Sequence, residues 1–322
     1  MGGAAGGLAD GAAGHAPVLL EEALDALAVR PDGFYVDATF GRGGHSKAIL
    51  ARLGERGTLL VMDRDPQAVA AATAQLGADP RATVVHASFS RLTEALAGMP
   101  RKADGVLVDL GVSSPQLDDA ARGFSFLRDG PLDMRMNPNR GRPASAVLQQ
   151  LEPAALAALL VENSDEPHAV MLAEALAGRA LAQTTDLANA VRSALAHHVR
   201  ADERELSVRR VFQALRIAVN EEFTALDTLL RHLPQCLNPG GRAAIVTFHS
   251  GEDRRVKKAF QAGLRGGLYA AIANDVVRPT AEECRANPRA SAAKLRWARR
   301  PKTGYSLPSA MEEQRGVSYA SI

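Results

Sequence analysis

An α/β fold with an all-helical insertion is predicted for this 322-residue chain by three observations. Short runs of β-branched and aromatic residues alternate with helix-patterned segments up to about residue 116. That alternation stops over 117–207 and resumes at 242. Acids stand at or near the carboxyl ends of three expected strands, Asp37, Asp63 and Asp109. Ligands of open parallel sheets bind at those ends, and solvation alone would not place acids there repeatedly.

A first amphipathic helix is expected over 15–28, with Leu19, Leu20, Ala23, Leu24 and Leu27 on one side and a break at Pro31 and Gly33. Residues 34–46 read as strand, glycine turn and helix. Phe34, Tyr35 and Val36 favour a strand. Gly41, Gly43 and Gly44 allow a backbone turn that a ligand can approach closely. Ser46 sits near the helix start, and Ala48, Ile49, Leu50 and Leu53 supply its apolar side. A second strand over 58–62 ends in Asp63, twenty positions after Gly43. This is the layout of a nucleotide-cofactor half-fold, in which the glycine turn holds one end of the ligand and the acid accepts hydrogen bonds from ribose hydroxyls. The pattern lacks a glycine at Ser46, so a plain tight turn competes with that reading. Asp65 and Pro66 are an N-cap and first-turn pair for a helix carrying Ala68, Val69, Ala72 and Leu76. A third strand over 83–86 is followed by Phe89, which either packs beside an adenine or is ordinary core. The fourth strand, 103–109, is apolar in its second half, as a central parallel strand should be.

Residues 117–142 are polar and rich in Gly, Pro and Arg, with Phe124, Phe126 and Arg135 among them. A loop of that length in a compact unit is functional or disordered. A helical pattern fills 144–204, so 117–207 is expected to form a loop plus an inserted helical domain. Residues 208–233 are one long helix, or two broken near Glu221. A turn at 238–241 and a fifth strand over 242–248 restore the α/β pattern, with His249 at the strand's end. A helix then runs through Phe260, and 294–299 is expected to close the sheet as an edge strand. The α/β unit thus comprises 14–116 and 208–300. Residues 1–13 read as a disordered Gly/Ala leader without signal-peptide features, and 301–322 as a tail.

Two cysteines make neither a disulfide framework nor a metal cluster, and they suit a reduced, cytoplasmic protein. No apolar run reaches the ~20 residues that span a bilayer, so no membrane partner is expected. The net charge is only +2, but 13 Lys/Arg against 5 Asp/Glu over 252–302 give that segment +8 and leave −6 for the rest. Arg254, Arg255, Lys257 and Lys258 open this basic run, which reads as either a solvated helix face or an RNA contact.

Two cofactors suit a glycine turn followed by a ribose-binding acid. A dinucleotide needs a helix N-terminus free for pyrophosphate. S-adenosylmethionine presents an ammonium, a carboxylate and a sulfonium instead. Asp37 just ahead of the turn would repel pyrophosphate and tolerate an ammonium, which favours the methyl donor over a nicotinamide cofactor.

Several blocks together closely resemble the bacterial ribosomal RNA small-subunit methyltransferase H family: 41–46, 63–66, 109–119, 122–126, 129–135, 212–217 and 248–250. The resemblance runs from about 15 to 300. It implies a Rossmann-like S-adenosylmethionine-dependent methyltransferase domain interrupted by a helical insert. It also implies methylation of the N4 amino group of a cytidine in the decoding region of 16S rRNA, within the small ribosomal subunit; a homodimer is left open. Carried over by motif, the cofactor residues are Gly43, Gly44, His45, Asp63, Phe89, Asp109 and Gln116, with His45 donating to the donor's carboxylate. Asp109 is the catalytic candidate, as acceptor for the amino group. Phe124, Phe126, Arg135, His249 and Arg254 are the substrate candidates, the two phenylalanines for stacking a flipped base. No metal ligands are assigned. The chain departs from the family at Ser164, Asp165, Pro167 and His168, at Leu206 and Ser207, and at Gly251, positions that bear on substrate docking rather than on the cofactor.

Overall fold

The protein, described here from a computed structural model over residues 17–302, is built on a seven-stranded mixed sheet of order β3-β2-β1-β4-β5-β7-β6. The leader at 1–13 and residues 303–322 of the tail lie outside the described residues. The first half alternates as expected: α1 (Leu20–Leu27), β1 (Phe34–Asp37), α2 (Gly44–Arg52), β2 (Thr58–Asp63), α3 (Pro66–Leu76), β3 (Ala82–His86), α4 (Leu92–Ala97) and β4 (Ala103–Asp109). Asp65 caps α3 by accepting the Gln67 N–H at 3.0 Å, with Pro66 at the first turn. β1 to β5 run parallel to one another.

Side chains alternate across the sheet, as the two-residue period demands. Phe34, Val36, Val106, Val108, Ala243 and Ile245 face one core. Tyr35, Leu59, Val61, Leu107, Ala244 and Val246 face the other. The second face is covered by α1, α2 and α3.

Beyond β4 come α5 (Ser114–Asp118), α6 (Ala144–Gln150), α7 (Pro153–Ser164), α8 (Ala169–Leu176), α9 (Thr184–Ala194) and α10 (Ala201–Asn220). With the loop ahead of α6 they bury their own apolar cluster, from Phe124 through Leu148, Leu172 and Val191 to Leu215. α10 ends where α11 (Glu222–Cys236) begins, at Glu221, whose φ of +50° stops the first helix. The break expected near Glu221 is therefore real. α11 joins α4 and α12 (Ser250–Arg265) on the first face of the sheet, and its Leu226, Leu229 and Leu233 enter that core.

Two expectations are corrected here. β5 spans Leu237–Thr247, so the turn expected at 238–241 is instead a bulge within the strand. Leu237 pairs with Ala103 and Arg242 with Gly105, so four residues lie opposite Asp104 alone. Asn238 holds the bulge by donating to Lys102 O at 2.8 Å and to Asp104 Oδ1 at 3.1 Å. The strand expected to close the sheet, β7 (Lys294–Arg299), is second from the edge. It pairs antiparallel with β5 on one side and with the two-residue β6 (Ala271–Ile272) on the other. A short helix, α13 (Ala281–Ala286), lies between them in sequence. Among the described residues no helix is long and apolar enough to cross a membrane.

Candidate active site

The order of the sheet reverses between β1 and β4, and a crevice must open there at the carboxyl ends of the strands. A cavity of about 200 Å³ occupies that place. Its wall takes Gly41, Arg42, Gly44 and His45 from the glycine turn, Asp63 and Arg64 from the end of β2, and Phe89. Asp109 to Ser114 and Gln116 follow β4, and Phe223, Phe248 and Glu252 complete the far side.

The glycine turn is tied directly to β2. Gly41 N donates to Asp63 Oδ2 at 3.0 Å, and Asp65 N donates to Asp63 Oδ1 at 2.8 Å. These bonds oppose burial, which nevertheless raises the Asp63 carboxyl above the usual carboxylate range. Each oxygen keeps a second lone pair for a ligand hydroxyl. Gly43 sits at φ +85°, and a Cβ there would meet the Phe40 ring at 2.5 Å, so only glycine fits the turn. Gly43 shapes the wall from behind; Gly41, Arg42 and Gly44 form its surface.

Asp37 does not face the cavity. Its carboxylate is fully buried beneath it, accepting the Ser46 hydroxyl at 2.6 Å and the Thr39 N–H at 3.2 Å. Burial pushes it up to about 7. The expectation that Asp37 stands where it would repel a pyrophosphate and tolerate an ammonium is thus corrected: strand alternation turns it with Tyr35 toward α2.

Asp109 is a half-buried acid of the cavity wall. A quarter of its side chain (26%) is open, and its Oδ1 has no hydrogen-bond partner. Burial, followed by the charges of Asp37 and Glu252, pushes it up to about 8. His45 Nδ1 lies 3.7 Å from Asp109 Oδ2, while His45 Nε2 is 3.2 Å from Val18 O. A carbonyl only accepts, so Nε2 carries the proton and Nδ1 presents a lone pair toward Asp109. Burial pushes the imidazole down to about 4, so it is neutral at physiological pH. His45 therefore lines the cavity as an acceptor, and the expectation that it donates to a ligand carboxylate is corrected.

Gln116 is locked in place. Its Oε1 accepts Ser113 N at 3.0 Å and its Nε2 donates to Asp65 Oδ2 at 2.8 Å. Arg122 meets the same Asp65 oxygen at 2.9 Å and also donates to Gln67 Oε1 and to the carbonyls of Arg135 and Met136. Phe89 keeps 9% of its surface exposed, on the cavity side of the first core.

The substrate candidates are scattered. Phe124 is buried in the helical cluster with the Arg122 guanidinium 5.8 Å from its ring centroid. Phe126 packs edge-on against Phe212 at 5.1 Å. Neither lines the cavity, because the helical cluster offers each ring more apolar surroundings than the crevice does; the stacking expectation for them is corrected. Arg135 is folded back on Asp133 through two hydrogen bonds, 2.8 and 2.7 Å. Arg254 is paired with Asp165 at 2.8 Å and Arg255 with Glu162 and Asp227, so two of the four residues that open the basic run are engaged within the chain. Lys257 and Lys258 are exposed on α12.

His249 stands just behind the wall, where pattern alone does not reveal its neighbours. Glu252 accepts Phe248 N at 2.8 Å, and its other oxygen lies 3.1 Å from His249 Nε2, misaligned for a hydrogen bond. Burial by itself raises Glu252, but His249, Arg216 and the Phe248 N–H together hold it below the usual carboxylate range. Arg216 is bidentate to Glu222 at 2.8 and 2.9 Å. An acid five residues past the end of β5 is the one sequence signal that points to Glu252. Phe223 reads only as part of a helical stripe.

The arrangement fits a nucleoside that carries positive charge. Asp63 offers free lone pairs beside a crowded glycine turn, and Asp109 offers a buried oxygen without a partner. Phe89 offers an apolar face. A cation beside Asp109 would relieve the repulsion among Asp37, Asp109 and Glu252. Residues 12–301 match the family model described as the MraW methylase family. Among solved structures, the chain overlaps one from Clostridium thermocellum assigned as an rRNA-methylase, at 12% identity and a TM-score of 0.42, covering 88% of this chain and 98% of that one. An rRNA methylase from Streptococcus thermophilus gives 12% identity and 0.40, covering 87% and 95%. A protein from Streptococcus mutans, assigned as a methyltransferase and determined with SAH, gives 11% and 0.40, covering 87% and 96%. At such identities and TM-scores no residue can be carried across.

Proposed function

The chain belongs to the MraW methylase family, its chemistry is methyl transfer from S-adenosylmethionine, and we propose that it methylates the N4 amino group of a cytidine in the decoding region of 16S rRNA, acting in the cytoplasm on the small ribosomal subunit. The observation that carries the reading is Asp109: a carboxylate at the tip of a central strand, a quarter of its side chain open to the cavity and its buried Oδ1 unpartnered. S-adenosylmethionine supplies an electrophilic methyl group on a positively charged sulfur.

The residues of the chain then divide the work. Asp63 accepts the ribose hydroxyls and Phe89 packs beside the adenine. Gly44 and the backbone on either side of Gly43 admit the amino-acid portion. Gln116, held by Asp65 and Ser113, fixes the loop after β4. A cytosine amino nitrogen is a weak nucleophile because its lone pair is delocalised into the ring. Asp109 therefore accepts one of its N–H bonds and takes the departing proton, a role suited to a carboxyl whose proton affinity burial has raised. Holding the two reactants in line supplies much of the remaining rate gain.

The test is transfer of a radiolabelled methyl group to purified small subunits and to naked 16S rRNA, followed by digestion to nucleosides and mass analysis. N4-methylcytidine formed on the subunit is the expected result. Label on another base, or on no RNA at all, would refute the proposal.

A further inference from the structure

The methyl-donor reading accounts for the cavity wall over β1, β2 and β4 and leaves the β5 side without a role. At about 4.8 Å per strand, the tip of β5 lies roughly 10 Å from that of β1 and about 14 Å from that of β2. A nucleoside held by the glycine turn and Asp63 therefore leaves the β5 end of the cavity free. That end is walled by Phe248 from the tip of β5, by Phe223 from the start of α11, and by Glu252 from the first turn of α12. Asp109 lines the same cavity, and the Glu252 charge adds to the rise of its carboxyl.

We infer that this wall is the target-base site, with Phe223 and Phe248 stacking an extruded pyrimidine while Glu252 and Asp109 accept the N–H bonds of its exocyclic amino group. The inference rests on the methyl-transfer reading and adds its base specificity. Two aromatic rings on one cavity wall give a base the stacking it loses on leaving the RNA. Carboxylate oxygens accept and cannot donate while ionised, so they favour the amino group of cytosine and repel the carbonyl oxygen that uracil presents at the same ring position.

The surroundings hold this wall in place. The Phe223 ring lies 5.8 Å from the His249 ring, and the Arg255 guanidinium covers it at 3.6 Å. A Cβ at Gly251 would meet Phe223 Cζ at 2.7 Å and His249 Nδ1 at 3.2 Å. The glycine at this position, where the chain departs from its family, lets Phe223 settle against the start of α12. His249 is a positioning residue, close behind Glu252.

The experiment uses the full chain. Binding of CMP and UMP is measured at pH 9, above the value of about 8 to which the Asp109 carboxyl is raised, by saturation-transfer NMR with S-adenosylhomocysteine present, S-adenosylmethionine binding by calorimetry, and turnover on small subunits. Wild type is expected to prefer CMP over UMP by roughly tenfold or more. Loss of one stacked ring is worth about 5- to 150-fold. F223A is therefore expected to lose turnover within that range while its S-adenosylmethionine Kd moves less than about threefold, and F223Y to restore turnover. E252Q is expected to bring the CMP-to-UMP ratio near one. Equal binding of CMP and UMP to wild type, full turnover by F223A, or loss of methyl-donor binding in F223A and F223Y alike would overturn the assignment. A wild-type protein that takes up no S-adenosylmethionine overturns the methyl-transfer reading itself.

Discussion

Replacing Asp109 by asparagine should change how the affinity for S-adenosylmethionine depends on pH. The free carboxyl is pushed up to about 8 by burial and by the charges of Asp37 and Glu252. A sulfonium cation favours the ionised form, so its arrival lowers that value and releases a proton. Binding therefore strengthens as pH rises toward 8 and levels off above it. A carboxyl titrating at 8 is about 1% ionised at pH 6 and half ionised at pH 8, so affinity should rise by up to roughly 50-fold across that interval. S-adenosylhomocysteine lacks the sulfonium charge and should show a much smaller rise. Neutral His45 cannot supply this dependence, since burial holds it near 4. Asp37 and Asp63 also titrate high, so the variant is needed to isolate Asp109. Calorimetry in buffers of different ionisation enthalpy reads both the affinity and the protons released. A D109N protein that keeps the wild-type slope, or a wild type whose Kd is flat from pH 6 to 8, would refute the reasoning.

Other consequences are as direct. Asp37 has its folded-state value raised to about 7 against roughly 3.9 unfolded, so its contribution to stability is full below about pH 4 and is lost as pH rises through 7. Wild type should therefore lose a few kcal/mol more than D37N between pH 5 and 8 in urea titrations. R122A removes the guanidinium buried against Asp65 and should cost about 3–5 kcal/mol of unfolding free energy, with R122K failing to restore it fully. K257E/K258E should lower the slope of log affinity for 16S rRNA against log salt by about 1.4, at ~0.7 for each single-stranded phosphate left without its lysine; an unchanged slope removes those lysines from the interface. F124A empties a buried position in the helical cluster and should cost about 3–5 kcal/mol, any lost activity returning at low temperature where the protein stays folded.

Runs of β-branched and aromatic residues and the acids at strand ends made the α/β sheet legible, because both follow from local sequence. Asp65 was readable as a cap for the same reason. Its second oxygen was not, since Gln116 and Arg122 reach it from 51 and 57 residues away. β6 escapes any pattern because two residues have no period. His45 was identifiable as a wall residue, but its direction of donation depends on Val18, 27 residues upstream. Phe124 and Phe126 carry the composition of a stacking pair, and only tertiary packing shows them committed to the helical cluster. The reverse holds for Phe223 and Glu252. A helical stripe and a first-turn acid have ordinary local explanations, and their placement at the cavity depends on how α11 and α12 return to the sheet.

Asn220, the last residue of α10, accepts Met136 N at 2.8 Å and donates to Met134 O at 2.7 Å, while its own carbonyl accepts Arg64 Nη1 at 2.7 Å. One side chain and its peptide thus rivet the outgoing loop, the returning helix and the tip of β2 together. Cutting out 118–220 and splicing the ends would not yield a miniature version of the enzyme: Arg64 would lose its anchor, and the cavity between β1 and β4 would lose the part of its wall that Met136 supplies.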